Sequence, residues 1–289
     1  MTAHTVPAGA PAMPLEKYLR LAWPMLPARI LRDALKRRDV RVNGVKCGAG
    51  AAVKGGDALA LYIDDRWLSP EPDILFSDDR LIVAVKPQGL PVDVDRDGIG
   101  ADTLLARLRR RWPEAGLCHR LDAATGGIVL AAADGAVLEQ ALEAFRDHSG
   151  VRKQYRALAL GSFAQREGTL DAFLAKDARR GEVRVLHKNV PGAKPIRTRY
   201  RVIGQRENGL AELALEPVTG RTHQLRAHMA DFGHPLLGDD RYGDRAANRK
   251  HQCNRLCLWH EKLTVSPDSP LADYRGRVFE AEAPEWSKF

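Results

Sequence analysis

The chain has 289 residues, 44% of them hydrophobic, which is enough apolar material to fill a core and too much for a disordered polymer. No uninterrupted apolar window approaches the roughly 18 residues of a membrane-crossing helix, and MTAHTVPAGAPAMP lacks the basic start and apolar stretch of a secretory signal. Four scattered cysteines (Cys47, Cys118, Cys253, Cys257) exclude a disulfide framework, so a cytoplasmic setting is expected, and 45 Lys and Arg against 37 Asp and Glu leave a net charge of +8 that suits a polyanionic partner or, more blandly, a basic housekeeping protein.

At about 150 residues per domain the length predicts two domains. Residues 1–14 are small, polar and Pro-bearing and read as a disordered lead-in. Residues 15–63 read as a small helix-helix-strand module. PLEKYLRLAW starts a first helix, and Pro24 and Pro27 interrupt it and open a second. In PARILRDALKRR, Ile30, Ala34 and Leu35 recur at helical spacing while Arg29, Arg32 and Lys36 share another face. Asn43-Gly44 marks a turn between short β stretches, and ALALYI alternates Leu59, Leu61 and Ile63 on one side, as a half-buried strand does. Residues 15–62 hold ten Lys and Arg against four Asp and Glu, so +6 of the +8 falls in this segment. Such a basic face is either solvated or tracks phosphates.

DDRWLSPEPD, residues 64–73, reads as a linker, and residues 74–289 as one further domain of mixed α and β. ILFSDDRLIVAVK predicts two strands about a turn, ADTLLARLRRRW a basic helix and GGIVLAAA a buried strand. DGAVLEQALEAFRDH predicts a helix capped by Asp134. RKQYRALALG, TRYRVIGQ, AELALEPV and LCLWHEKLTV predict strands. Strands outnumber helices and the connections are short. The expected class is therefore α+β, a mixed and largely antiparallel sheet with flanking helices and a central cleft, rather than a doubly wound parallel sheet.

Gly-rich phosphate loops and the nucleophile elbow of hydrolases are both absent from the sequence. His251, Cys253, Cys257 and His260 crowd together, but their spacing fits no standard zinc pattern, and in a strand Cys257 and His260 point to opposite faces; no metal is expected. Three segments stand out. In GLCHRLDAATGGIVLAAA, Asp122 lies between Arg120 and a small-residue turn just before a buried strand, where a ligand can come close; a turn-capping Asp is the plainer reading. LEPVTGRTHQLRAHMADFGHPLLGDDRYG packs Arg221, His223, Gln224, Arg226 and His228 into eight positions at a helix start. That density of donors suits an anion or an RNA-facing cleft, or else a solvated helix. In VRKQYRALALG, Tyr155 opens a strand, where a tyrosine commonly sits at a core edge.

In this order and spacing, the segments resemble the RluA-type pseudouridine synthases. HRLDAATGG resembles that family's HRLD-x-x-TSG, RKQYRAL its K-x-Y-x-A element, TGRTHQLRAHMADFGHPLLGD its GRTHQIR…G-P-I-L-G-D element, and LIVAVKPQGLPV its opening strand with K-P-x-G. One departure is Gly126 in place of the family's Ser. The helices and VRVNG of the first module resemble a small RNA-binding module of a ribosomal protein and of tyrosyl-tRNA synthetases.

The resemblance implies an isomerase that converts uridines in RNA to pseudouridine without a cofactor. It makes Asp122 the nucleophile, Arg221 its ion-pair partner and Tyr155 a contact of the base that helps take the proton from carbon five. Arg120 fills the gap left by the flipped base. His119, Lys86, His223 and Arg226 join the RNA contacts, and Arg29, Arg32, Lys36, Arg37, Arg38 and Arg41 meet the RNA backbone. The expected substrate is large-subunit ribosomal RNA, with tRNA as the alternative, and the expected state is a monomer. A non-catalytic RNA-binding assembly protein and an RNA N-glycosylase are the rival readings.

Overall fold

The computed structural model describes residues 1–94, 98–146, 150–177 and 182–286. The chain divides into two compact units. One comprises Met1–Asp73 with Gly89–Gly116, and the other Ile74–Gln88 with Leu117–Phe289.

The first unit contains β1 (Thr2–Thr5), α1 (Leu15–Ala22), α2 (Ala28–Arg37), β2 (Val40–Val42), β3 (Val45–Cys47) and β4 (Ala58–Leu61). The two prolines separate the helices as expected: Pro27 stands immediately before α2. Leu31, Ala34 and Leu35 are buried on α2, and Arg29, Arg32, Lys36 and Arg37 are exposed. Asn43 and Gly44 both take positive φ (50° and 82°), the backbone a two-residue hairpin turn requires, and they join β2 to β3. Asn43 stays useful there, since its Oδ1 accepts from Ala58 N at 2.9 Å and its Nδ2 donates to Asp57 at 3.0 Å.

Three expectations about boundaries change. The lead-in is ordered: β1 pairs antiparallel with β4, Met13–Pro14 pairs with Ala52–Val53, and Val6 is buried. Small polar residues give no alternation signal, but their backbone groups complete the edge of β4 all the same. The linker carries a helical turn, Asp65–Leu68, capped by Asp64 and anchored by buried Leu68. Residues 89–116, expected with the second domain, pack with the first unit. Ala101 N and Asp102 N both donate to Ala22 O (2.9 and 2.8 Å), Ile99 joins the apolar cluster of α1 and α2, and α3 (Leu104–Arg109) follows. Arg107 on α3 forms a buried bidentate pair with Asp102, both bonds 2.7 Å.

The second unit is built on β5 (Asp73–Ser77), β6 (Leu81–Lys86), β7 (Gly126–Ala132), α4 (Gly135–Arg146), β8 (Val151–Leu160), β9 (Glu167–Asp177), β10 (Glu182–Leu186), β11 (Lys194–Gln205), β12 (Leu210–Pro217), α5 (Gln224–Asp231), α6 (Arg245–Lys250), β13 (Leu258–Val265) and β14 (Val278–Glu280). Its strands lie in the order β10, β9, β11, β12, β8, β13, β7, β6, β5, with β14 added to β13. The paired strands run antiparallel except β7 with β13, which are parallel through Gly126 opposite Trp259 and Gly127 opposite His260. The α+β class with a mixed, mostly antiparallel sheet is therefore what the chain adopts. Asp134 caps α4 as expected, accepting from Val137 N at 2.9 Å.

Gly126 has a steric cause. A Cβ there would lie 2.6 Å from Trp259 Cε3 and 2.9 Å from Gln88 Cγ, so a serine would have to displace the indole. The next residue, Gly127, has φ +110° and runs against the His260 backbone, which no side chain would allow.

One face of the sheet carries charge. Arg197 pairs with Asp171 at 2.6 Å, Arg152 and Arg199 with Glu216 at 2.9 and 3.3 Å, and Arg156 with Glu212 and Glu261 at 3.3 and 3.1 Å. On the opposite face α5 packs against β11, where buried Thr198 Oγ1 meets both Gln224 Nε2 (3.2 Å) and His228 Nδ1 (3.0 Å).

Candidate active site

Asp122 stands on a tight turn directly before β7, closed by Thr125 N donating to Asp122 O at 3.0 Å. The turn is supported from below. Lys86, the last residue of β6, is fully buried and its Nζ donates to Ala123 O and Pro87 O, each at 3.1 Å. Gln88 Nε2 donates to Ala124 O at 3.1 Å. The Asp122 side chain remains 24% exposed, open to an incoming ligand.

The guanidinium beside Asp122 is that of Arg226, with Nη1 3.6 Å from Asp122 Oδ2. Arg226 is 4% exposed and is gripped from the other side by Asp239, which accepts from Nε at 2.7 Å and from Nη2 at 2.8 Å. Asp240 adds a contact at 3.2 Å. Burial opposes the charge on Arg226, but the hydrogen bonds and charge of Asp239, then the charges of Asp122 and Asp240, raise its pKa well above the usual value. Burial likewise pushes the Asp239 carboxyl up, and the bonds and charge of Arg226 outweigh it and hold the group below the usual carboxylate range. His223, at a left-handed φ of 54° just before α5, turns its Nε2 to 3.8 Å from Asp122 Oδ1 and hydrogen-bonds Tyr242 OH through Nδ1 at 2.8 Å. Burial lowers its pKa against the pull of Asp122.

Tyr155 is buried and stacks on His260 with centroids 4.6 Å apart and planes 17° from parallel. Burial, and then the charge of Asp122, push its phenol far above the ordinary value, so it stays neutral. A β-bulge between Gln154 and Tyr155 sets the ring opposite His260. His260 Nδ1 donates to Ile128 O at 2.6 Å, which leaves Nε2 bare and, among the described residues, without a partner. His119 accepts from Leu130 N at 3.1 Å and packs between Phe145 (4.6 Å) and His260 (5.7 Å).

Four expected assignments change. Arg221 is exposed and forms no ion pair among the described residues; Arg226 is the partner of Asp122, because the helix starts only at Gln224 and its phase aims position 226, not 221, inward. Arg226 is thereby consumed by carboxylates rather than offered to RNA. Lys86 is sealed at the end of a strand buried on both faces and cannot reach RNA. His119 has its Nε2 taken by a backbone amide. Arg120 is exposed, and so are Arg29, Arg32, Lys36, Arg37 and Arg38, while Arg41 lies over the Tyr62 ring at 5.1 Å. Reading the sequence missed Asp239, Tyr242 and the Tyr155 support from His260. The signal for Asp239 was present: an arginine on a buried helix face demands a carboxylate, and GDDRYG supplies two. Cys257 and Trp259 enter one apolar cluster while His260 meets Tyr155 on the other face; the two buried thiols of Cys253 and Cys257 lie 3.7 Å apart.

The buried histidines make stability pH-dependent. Burial lowers the pKa of His260 from 6.5 to about 3, and that of His119 well below 6.5. A histidine depressed on folding binds its proton more readily in the unfolded chain, so stability is full above 6.5 and falls as pH drops from 6.5 towards 3. For His260 the slope is about 1.4 kcal/mol per pH unit. Urea midpoints from pH 6.5 to 4.5 should therefore fall less steeply in His260→Phe than in the parent; equal slopes would place His260 outside the buried, neutral state described here.

Residues 80–231 match the family described as RNA pseudouridylate synthase. The chain is 36% identical over 194 residues to the dual-specificity RNA pseudouridine synthase RluA of Escherichia coli, covering 67% of this chain and 86% of that one. It is 29% identical over 253 residues to the ribosomal large subunit pseudouridine synthase C of Rickettsia conorii, covering 80% and 82%. Among solved structures, human RNA pseudouridylate synthase domain containing 1 superposes with a TM-score of 0.61 at 26% identity, covering 74% of this chain and 84% of that one.

Proposed function

Because the chain belongs to the RluA family of RNA pseudouridine synthases, which are isomerases, we propose that Asp122 is its nucleophile and that its substrate is large-subunit ribosomal RNA. The observation that carries the first part is the Asp122–Arg226–Asp239 chain. A partly exposed carboxylate is opposed by a guanidinium that cannot leave, because a buried second carboxylate holds it through two parallel bonds.

Asp122 attacks the anomeric carbon of the target uridine. The bond from that carbon to uracil N1 breaks with its electron pair on the base, and an ester to Asp122 forms. The base rotates, carbon five attacks the same carbon, and the carboxylate is released. The proton of carbon five is lost and N1 gains one, so the atoms balance with no co-reactant. Retaining glycosidases need a second carboxylate to protonate a poor leaving group; uracil departs readily, and one suffices. In this reading the neutral ring of Tyr155, stacked on His260, holds the base. Taking the target base out of its stack costs a few kcal/mol, which phosphate contacts by the exposed arginines of α2 and by Arg120 offset.

The ribosomal target is supported by the match to the large-subunit enzyme, which extends over 80% of this chain against 67% for the dual-specificity relative. Pseudouridines mapped by carbodiimide labelling in ribosomal RNA and tRNA, from cells with and without the gene, test it. The expected result is loss of a large-subunit site. Loss confined to tRNA would move the target, and loss from neither would remove the assignment.

A further inference from the structure

On the charged face of the sheet Arg152, Arg156, Arg197 and Arg199 are each within 3.3 Å of a carboxylate, whereas exposed Arg184 and Arg201 form no ion pair among the described residues. Residues 241–255 differ. This segment carries Arg241, Arg245, Arg249, Lys250 and Arg255 against one acid, Asp244. Asp244 spends its carboxylate on the start of α6, accepting from Ala246 N at 2.7 Å and Ala247 N at 3.0 Å. Among the described residues Arg245, Arg249, Lys250 and Arg255 form no ion pair, and no residue of α6 is buried. Arg245 and Arg249 stand at i and i+4, where like charges repel across one turn. Among the described residues, Arg245, Arg249, Lys250 and Arg255 thus form a cationic surface without an ion-pair partner, faced only by the more distant charge of Asp244 on Arg249.

That surface is fixed relative to the nucleophile. Asn248 on α6 donates through Nδ2 to Asp239 O at 3.0 Å and accepts from Gly238 N at 2.8 Å. Arg241 N and Tyr242 N both donate to Asp239 Oδ1, at 2.9 and 3.0 Å. Asp239 in turn holds Arg226, which faces Asp122. Tyr242 OH bonds His223, the other neighbour of Asp122. At Gly238, φ +75°, an added Cβ would run into the Arg255 carbonyl, so the last residue of the segment packs against the chain just before its start.

We propose that residues 241–255 form a phosphate-binding surface that grips the RNA backbone beside the target uridine. The identification of the polyanion as RNA rests on the enzymatic reading above; the positioned charge does not. Neutralising phosphates releases condensed counterions, and each lost contact flattens the salt dependence of binding by roughly 0.7–0.9 in log–log slope.

The test uses the full chain and one probe, ribosomal RNA labelled with [5-³H]uridine from cells lacking the gene. Arg245→Gln/Arg249→Gln/Lys250→Gln should flatten the slope of log Kd against log salt by about 2. It should raise KM about tenfold and leave single-turnover tritium release at saturating enzyme within about twofold of the parent. Arg197→Gln/Arg199→Gln, on the paired face, should keep the parental slope. A triple variant with parental slope and KM overturns the proposal, as does an equal loss in the paired-face control, which would reduce the effect to net charge. If the parent itself releases no tritium, the ribosomal-RNA reading fails while the two slopes still decide whether this surface binds RNA.

Discussion

Arg226→Gln is expected to lower stability by about 3–5 kcal/mol and to remove most turnover, whereas Arg221→Gln should stay within about 0.5 kcal/mol of the parent. The asymmetry follows from burial. Asp239 is 1% exposed and depends on Arg226 for both of its short bonds. Without the guanidinium, that buried carboxylate keeps the backbone N–H bonds of Arg241 and Tyr242 but loses its paired cation, and Asp122 loses its only close arginine among the described residues. Arg226→Lys keeps a charge but not the planar fork, so it should recover part of the stability and little of the turnover. Urea unfolding and tritium release read the two effects separately. Parental stability in Arg226→Gln, with turnover abolished by Arg221→Gln instead, would return the ion-pair role to Arg221.

The contrast between Arg221 and Arg226 also marks where sequence reading stops. Both lie in GRTHQLR, and the motif alone does not say which one turns inward. The answer depends on helix phase, which the left-handed His223 sets by delaying α5 until Gln224. The turn that carries Asp122 was legible because turn chemistry is local, a carboxylate followed by small residues and two glycines before an apolar run, while the nucleophilic role came only from the family resemblance. The α+β class was legible for the same reason, through many short apolar runs with brief connections. Lys86 was misplaced because a lysine after an apolar strand looks like a surface cation, and only tertiary burial on both faces of β6 makes it a brace for Ala123 O. Residues 89–116 were assigned to the wrong unit for a related reason. Their link to the first unit is two backbone bonds to Ala22 O and the packing of Ile99 in its apolar cluster, neither of which leaves a periodic trace. Gly126 was visible as a departure, yet its cause, the Trp259 ring, lies 133 residues further along the chain.

Asp122→Asn is expected to reduce turnover by on the order of 10⁴ or more, since the neutral amide keeps the shape of the side chain and loses its nucleophilic charge. The fold should persist: Arg226 retains Asp239 and Asp240, and the carbonyls of the Asp122 turn accept from Thr125 N and from the Lys86 and Gln88 side chains, bonds that do not use the carboxylate. RNA affinity should be unchanged or slightly higher, because one negative charge facing the phosphates is gone. The decisive measurement is tritium release from [5-³H]uridine-labelled ribosomal RNA under single-turnover conditions, with RNA binding measured on the same preparations. The account predicts release by the parent and none above background by Asp122→Asn at equal or tighter binding; release by the variant within about tenfold of the parent would contradict it.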